Sequence, residues 1–145
     1  MRKRVLIVED EIFVALELEQ AVESADFDVV AIAADSASAL DAADQCDIAL
    51  VDLNLRDGPT GPSIGVTLAS QFGVRVIYVT ANPAQIGEAA AAAMGVIVKP
   101  FRAQSVQGAL RLAASEHIDS GAMDITGFTL FQQPPGSMTG MESRG

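Results

Sequence analysis

The chain has 145 residues, 50% hydrophobic and 19% charged, enough for the core of one ordinary domain and too few for two full ones. Nineteen acidic residues against nine basic give a net charge of −10, which argues against direct binding to nucleic-acid phosphates. A single cysteine, Cys46, excludes an intrachain disulfide, no apolar stretch is long enough to span a membrane, and a reducing cytoplasm is the expected setting.

Met1-Arg-Lys-Arg4 looks like the basic end of a signal peptide, but the apolar run behind it is only Val5–Val8 and ends in Glu9-Asp10-Glu11. Arg4–Val8 instead reads as a first strand. Glu11–Ala25 carries Val14, Leu18, Ala21, Val22 and Ala25 at helical spacing. Asp28–Ala33 reads as a strand, Ser36–Ala43 as a short helix behind a serine cap, and Asp47–Val51 as a third strand. A loop with Gly58-Pro59 and Gly61-Pro62 leads into a helix that ends near Phe72. Val74–Val79 is the fourth strand. Pro83–Met94 is an alanine-rich stretch expected as a helix stopped by Gly95, Val96–Val98 is a fifth strand, and Arg102–Glu116 is the last helix. Five repeats of strand then helix predict a parallel sheet covered on both faces, a flavodoxin-like, doubly wound α/β fold with strand order 2-1-3-4-5.

The residues that end the strands carry the chemistry. Glu9-Asp10 end the first, Asp52 the third, Thr80 the fourth and Lys99 the fifth. Ligands of open parallel sheets bind beyond the carboxyl ends of strands, where the strand order reverses, and that point lies between strands one and three. Glu9, Asp10 and Asp52 are therefore expected to converge there, with Thr80 and Lys99 further along the same edge. Like charges about 4 Å apart at an effective dielectric near 20 repel by roughly 4 kcal/mol per pair, so the acids need a counter-charge. Hard oxygen donors in a hydrated cleft suit Mg²⁺. A carboxylate, a divalent metal, an ammonium and a hydroxyl together suit phosphoryl transfer onto Asp52.

Four stretches, VLIVEDE (5–11), ALVDLNL (49–55), VIYVTAN (76–82) and VKPF (98–101), stand in order, with 42, 28 and 19 positions separating Asp10, Asp52, Thr80 and Lys99. In these the chain resembles a bacterial two-component response-regulator receiver domain, over residues of about 4 to 117. The resemblance implies a switch that takes a phosphoryl group on Asp52 from a sensor histidine kinase or histidine phosphotransferase, with Mg²⁺, and then changes its contacts with a protein target. It implies that Asp10 is a direct metal ligand, Glu9 a ligand through water, and Asn54 a ligand through its backbone carbonyl. Thr80 would be the switch hydroxyl, Lys99 would pair with Asp52 at rest, and the Lys99–Pro100 bond would be cis. The wording VTANP is similar to receivers of the general-stress and light-sensing systems of alphaproteobacteria. The chain departs from the family at Val96, where an aromatic is common, in a long loop over 53–61, and in a short, glycine-containing segment after Thr80. Tyr78, two residues before Thr80 and so on the same strand face, is the candidate to replace the missing aromatic.

Blander readings stand beside these. An isolated Asp at a strand end is more often a cap, Thr80 could cap the following helix, and His117 at a helix end suits the helix dipole better than phosphorylation. A haloacid-dehalogenase-like phosphohydrolase would need an acid where Asn54 stands. A pseudo-receiver that binds partners without phosphorylation is the other alternative. The domain is expected over 1–118 as a stand-alone receiver, with 119–145 as a partly flexible tail. Five glycines among those 27 residues and Pro134-Pro135 mark the change. Within the tail, Ile125, Phe128, Leu130 and Phe131 would expose costly apolar surface. The segment is expected either to fold back on its own domain or, the favoured outcome, to lie on a second copy as a dimerisation arm.

Overall fold

The five apolar runs do form strands, and pairing brings their ends to one edge. The computed structural model describes residues 2–115 and 125–131. Strands β1 (Arg4–Val8), β2 (Asp28–Ala33), β3 (Ile48–Val51), β4 (Arg75–Thr80) and β5 (Gly95–Val98) are parallel, in the order β2-β1-β3-β4-β5. Helices α1 (Ile12–Ser24) and α4 (Ala103–Ala114) cover one face, and α2 (Ser36–Asp41) and α3 (Gly61–Phe72) the other. The fold is the flavodoxin-like α/β arrangement that the alternation of elements predicts.

Strand alternation divides the core in two. Val5, Ile7, Ile48, Leu50, Ile77, Val79 and Ile97 pack with α1 and α4. Leu6, Val8, Ala49, Val51, Val76, Tyr78 and Val96 pack with α2 and α3. β1, β3, β4 and β5 are buried on both faces, so they read as continuous apolar runs rather than as alternating ones. Each buried Val, Leu or Ile contributes about 1.5–3 kcal/mol. Cys46 is buried, as a small hydrophobe would be.

Two segments differ from the sequence-based expectation. Pro83–Ala92 is no α-helix but a pair of 3-10 stretches broken at Gly87, whose φ of 59° and ψ of −135° are non-helical. High alanine propensity loses here to tertiary demands. The Ala89 carbonyl accepts from the buried Tyr78 hydroxyl at 3.3 Å, and the Ala93 N–H turns to Ala90 at 3.2 Å, so the four-residue helical bond between 89 and 93 is not made.

The second difference is at the C-terminal side. Residues 125–131 fold back on their own domain and add β6 (Phe128–Leu130), antiparallel to β5 with Ile97 opposite Phe128 and Gly95 opposite Leu130. Phe128 is buried, Ile125 and Leu130 pack on the α1–α4 layer, and Phe131 packs on the other. A Cβ on Gly95 would collide with the Thr129 carbonyl and the Phe128 ring, and one on Gly108 would sit 3.0 Å from Ile125, so two glycines leave the room this strand needs. In the single chain the apolar segment thus covers the otherwise open edge of β5, the fold-back outcome of the two expected. The expected domain end near Ile118, His117, and the tail beyond Phe131 lie outside the described residues.

Candidate functional site

Register positions the site. Val8 pairs with Val51, and Thr80 with Val98, so Glu9, Asp52 and Lys99 each stand one residue beyond the last paired position. Backbone hydrogen bonds carry the ladder that one step further: Glu9 N–H to Ala33 at 2.8 Å, Asp52 N–H to Val8 at 2.9 Å and Lys99 N–H to Thr80 at 2.9 Å. Glu9, Asp52 and Lys99 continue the parity of Ile7, Leu50 and Ile97, whereas Thr80 continues that of Tyr78.

Glu9, Asp10 and Asp52 bring carboxylate oxygens within 4.8 Å of one another. Glu9 and Asp52 are buried and Asp10 is exposed, a cluster with one side open to solvent. The Lys99 ammonium inserts into it, 2.9 Å from Glu9 Oε1 and 3.4 Å from Asp52 Oδ2. Lys99 was expected to pair with Asp52, and the shorter contact goes to Glu9, the more deeply buried acid and the one that most needs a counter-charge. The other Glu9 oxygen accepts from the Glu11 N–H at 3.1 Å, and Asp52 Oδ1 accepts from the Leu53 N–H at 2.8 Å. Burial pushes the Glu9 carboxyl above its usual range, against the lowering effect of Lys99 and of the Glu11 N–H. Burial alone would lower Lys99, but its hydrogen bond to Glu9 and the charges of Glu9 and Asp52 outweigh this and raise it. The Lys99–Pro100 peptide is cis.

Thr80 ends β4, between β3 and β5, and is buried; its hydroxyl oxygen accepts from the Asn82 N–H at 3.0 Å. This bond closes a local turn; Thr80 does not cap the following 3-10 segment, whose N-cap is Asn82 with no side-chain cap bond. Asn54, two residues past Asp52, exchanges two side-chain hydrogen bonds with Gln85, at 2.7 and 3.2 Å. The long loop that contains it is tied down rather than loose. Leu55 and Gly58 exchange backbone bonds at 2.9 and 3.0 Å, the Arg56 N–H reaches Ala34 at 3.1 Å, and Asp57 accepts from the Ser36 N–H at 3.2 Å. Gly61 starts α3 directly under the end of β3, where a Cβ would collide with the Asp52 carbonyl and with Leu53.

Tyr78 shares the Thr80 face and neighbours Val96 across the β4–β5 pair. It is fully buried, and its hydroxyl lies 3.3 Å from both the Pro62 and the Ala89 carbonyls. Gly65 makes room for that ring, since a Cβ there would strike the Tyr78 hydroxyl. Gln85 and Gly65 were not identified from the sequence. No local pattern marks them, because each is defined by a partner at a distance along the chain. The apolar exposed face of α1 was also missed: Phe13 is 80% exposed and Ile12 58%. Its signal was available, in three large apolar residues, Ile12, Phe13 and Leu16, off the buried stripe.

This edge, with its acid pair, the Asp that ends β3, a hydroxyl and a Lys-Pro turn at the ends of the parallel strands, is that of a signalling receiver rather than a conventional enzyme. Residues 5–125 match the response regulator receiver domain, and the chain belongs to that family. The phyllosphere-induced regulator PhyR of Methylorubrum extorquens is 32% identical over 118 residues, which cover 78% of this chain and 44% of that protein. The receiver domain of Erythrobacter litoralis PhyR, solved in solution, is 30% identical at a TM-score of 0.71, covering 77% of this chain and 89% of that one. A PhyR stress response regulator is 30% identical at a TM-score of 0.63, with 76% of this chain and 44% of that one covered. The chain therefore spans less than half the length of the curated relative it matches. Among the described residues no helix is long and apolar enough to cross a membrane.

Proposed function

We propose that the chain is a phosphoacceptor switch of a two-component system or phosphorelay, taking a phosphoryl group on Asp52 from a phosphohistidine partner. The observation that carries this reading is the cluster of Glu9, Asp10 and Asp52 with the Lys99 ammonium seated in it. Leu53 holds Asp52 Oδ1, which orients the carboxylate and leaves Oδ2, on the Lys99 side, to attack phosphorus as the imidazole nitrogen leaves. The Lys99 ammonium offsets charge on the arriving phosphoryl oxygens, and the Thr80 hydroxyl is the donor that follows them. Three clustered carboxylates are hard donors that fit Mg²⁺, so Glu9, Asp10 and Asp52, with the Asn54 backbone carbonyl, would hold the ion, and it would neutralise both the cluster and the phosphoryl charge.

The partner surface in this reading is the exposed apolar side of α1. A cleft of about 300 Å³ lined by Val14, Ala81, Pro100 and Phe101 opens beside Lys99, next to a helix that leaves Ile12, Phe13 and Leu16 in solvent. A helical donor seated there would bring its phosphohistidine towards Asp52. The PhyR relatives extend well beyond the matched region, so the likeness bears on the receiver and not on what their remaining half does.

The test is labelling by acetyl phosphate with Mg²⁺. Wild type is expected to carry one base-labile, hydroxylamine-sensitive phosphoryl group, and Asp52→Asn to carry none while keeping its circular dichroism spectrum and melting cooperatively. Label retained in Asp52→Asn overturns the acceptor assignment. A wild type that takes no label from acetyl phosphate or from any phosphohistidine donor favours instead the partner-binding module that works without phosphorylation.

A further inference from the structure

Residues 125–131 sit in a groove shaped to receive them, between the edge of β5 and α4. Glycine weakens the interior of a strand or a helix, yet Gly95 lies in β5 and Gly108 in the middle of α4. Each stands where a Cβ would meet the segment, at Gly95 the Thr129 carbonyl and the Phe128 ring, at Gly108 the Ile125 side chain. In the first turn of α4 the buried Ser105 hydroxyl donates to the Thr126 carbonyl at 2.5 Å. The next residue, Gly127, has a φ of 85°, and a Cβ on it would strike Ser105. The groove therefore selects a sequence, with apolar side chains at 125, 128 and 130 and a glycine at 127. The hold is short. β6 pairs over three residues. At one end the Phe131 N–H donates to the Met94 carbonyl at 2.8 Å, but at the other the Val98 N–H reaches the Gly127 carbonyl only at 3.4 Å, beyond the usual range. Each of these contacts lies between the groove and residues 125–131, so the same segment supplied by another copy would make the same ones. The segment, Ile-Thr-Gly-Phe-Thr-Leu-Phe, carries no charge, and its exchange adds no acid to the contact between two acidic chains.

We propose that the groove between β5 and α4 is a docking site for residues 125–131 of a second copy, so that two chains pair by exchanging β6. The occupant is a second copy because the groove is fitted to this sequence, and another copy carries it. Nine residues separate Ser115 from Ile125. A tether of that length holds the chain's own segment at an effective concentration on the order of millimolar, so the closed single chain dominates below that concentration and exchange grows towards it. Docking in the single chain requires an intrinsic dissociation constant at least about tenfold lower, on the order of 0.1 mM or tighter. The pairing needs neither Mg²⁺ nor a phosphoryl group, so it stands or falls independently of the role of Asp52.

The experiment mixes two full-length variants, neither of which can close on itself. Gly95→Val keeps the segment and fills its groove, while Ile125→Ser/Phe128→Ser keeps the groove and spoils the segment. By light scattering each alone is expected to be monomeric. The equimolar mixture is expected to form a heterodimer at a dissociation constant about tenfold or more below that for self-association of wild type, because no tethered segment competes. Gly108→Leu, which fills the place of Ile125 while raising the helix propensity of α4, serves as a second blocked variant. In NMR spectra of ¹⁵N-labelled Ile125→Ser/Phe128→Ser, either unlabelled blocked variant should shift the amides of residues 95–98, at the β5 edge, and leave those of β2 in place. The Gly95→Val partner should also shift Ser105 and Gly108. No heterodimer and no such shifts with either blocked variant, at several times the expected dissociation constant of about 0.1 mM, overturn the proposal. A dimer formed by Ile125→Ser/Phe128→Ser alone overturns it as well, since the contact would then lie on another surface.

Discussion

The two faces of the sheet are built differently. On one, α1 and α4, of 13 and 12 residues, lay down a continuous apolar layer against Val5, Ile7, Leu50, Ile77 and Ile97. On the other, α3 is the one long helix among the described residues, flanked by the six-residue α2 and the broken 3-10 stretch of Pro83–Ala92. Its layer is rich in small residues, among them Ala39, Ala49, Ala89 and Ala93, and the large ring of Tyr78 fills the middle of it. Side-chain hydrogen bonds then do what a regular helix would do through its backbone: Tyr78 to Pro62 and Ala89, and Asn54 to Gln85. A layer held by a few point contacts opens at lower free energy than one held by long helices. The thin face is also the one that Thr80 joins, so the face expected to open at lower free energy sits next to the hydroxyl proposed to sense the phosphoryl group.

The strongest challenge to this contrast is removal of the central ring. Tyr78→Ala is expected to cost about 3–5 kcal/mol in urea unfolding, and Ile97→Ala on the opposite face about 2–5 kcal/mol. The global losses are similar, so amide exchange separates them. After Tyr78→Ala, residues 83–92 should exchange faster than global unfolding allows, whereas after Ile97→Ala they should follow it. Identical exchange patterns in the two variants would mean that the faces do not differ in local stability.

A smaller effect is expected when the ring is kept and its space is reduced. Gly65→Ala places a methyl group against the Tyr78 hydroxyl and ring, and overpacking of this kind costs about 1–3 kcal/mol. Tyr78→Phe in the same background should recover part of that loss by removing the struck oxygen, a sign reversal from its effect in wild type. If Tyr78→Phe is as unfavourable in the Gly65→Ala background as in wild type, the ring has moved and the close approach does not matter.

The smallest effect is read by pH. Tyr78→Phe alone gives up a hydroxyl with two long hydrogen bonds and is expected to cost about 1 kcal/mol near neutrality. Burial pushes the Tyr78 phenol from its usual 10 up to about 12. The unfolded chain then ionises first, so the stability due to the neutral phenol is present below about pH 10 and lost as the pH rises towards 12. Cys46, raised to about 11 by burial, adds a similar alkaline loss, but it does so in both proteins. The stability gap between wild type and Tyr78→Phe should therefore narrow, and then reverse, on going from about pH 9 to about pH 11. A gap that stays constant would mean that the phenol is not held in a desolvated site.

The amino-acid sequence by itself determined the five parallel strands, their order and which residues stand at their ends. β1, β3, β4 and β5 are short apolar runs buried on both faces, a demand met within four to six consecutive residues, and parallel pairing then brings Glu9, Asp10, Asp52, Thr80 and Lys99 to one edge whatever the details of packing. What the tertiary structure decided involves partners far apart in the chain. The alanine run after Pro83 has the local propensity of a helix, but the Tyr78 hydroxyl takes the Ala89 carbonyl and Gly87 breaks the path. Lys99 pairs with both Asp52 and Glu9, and that the shorter contact goes to Glu9, the more deeply buried acid, is a difference no spacing reveals. The apolar residues from Ile125 to Phe131 demanded cover, yet only the open edge of β5, with Gly95 and Gly108 cleared to receive them, made their own domain the cover they found. Local pattern sets which surfaces must be buried, while the partner that buries each one is settled by shape and by free hydrogen-bonding groups that come together only in the folded chain.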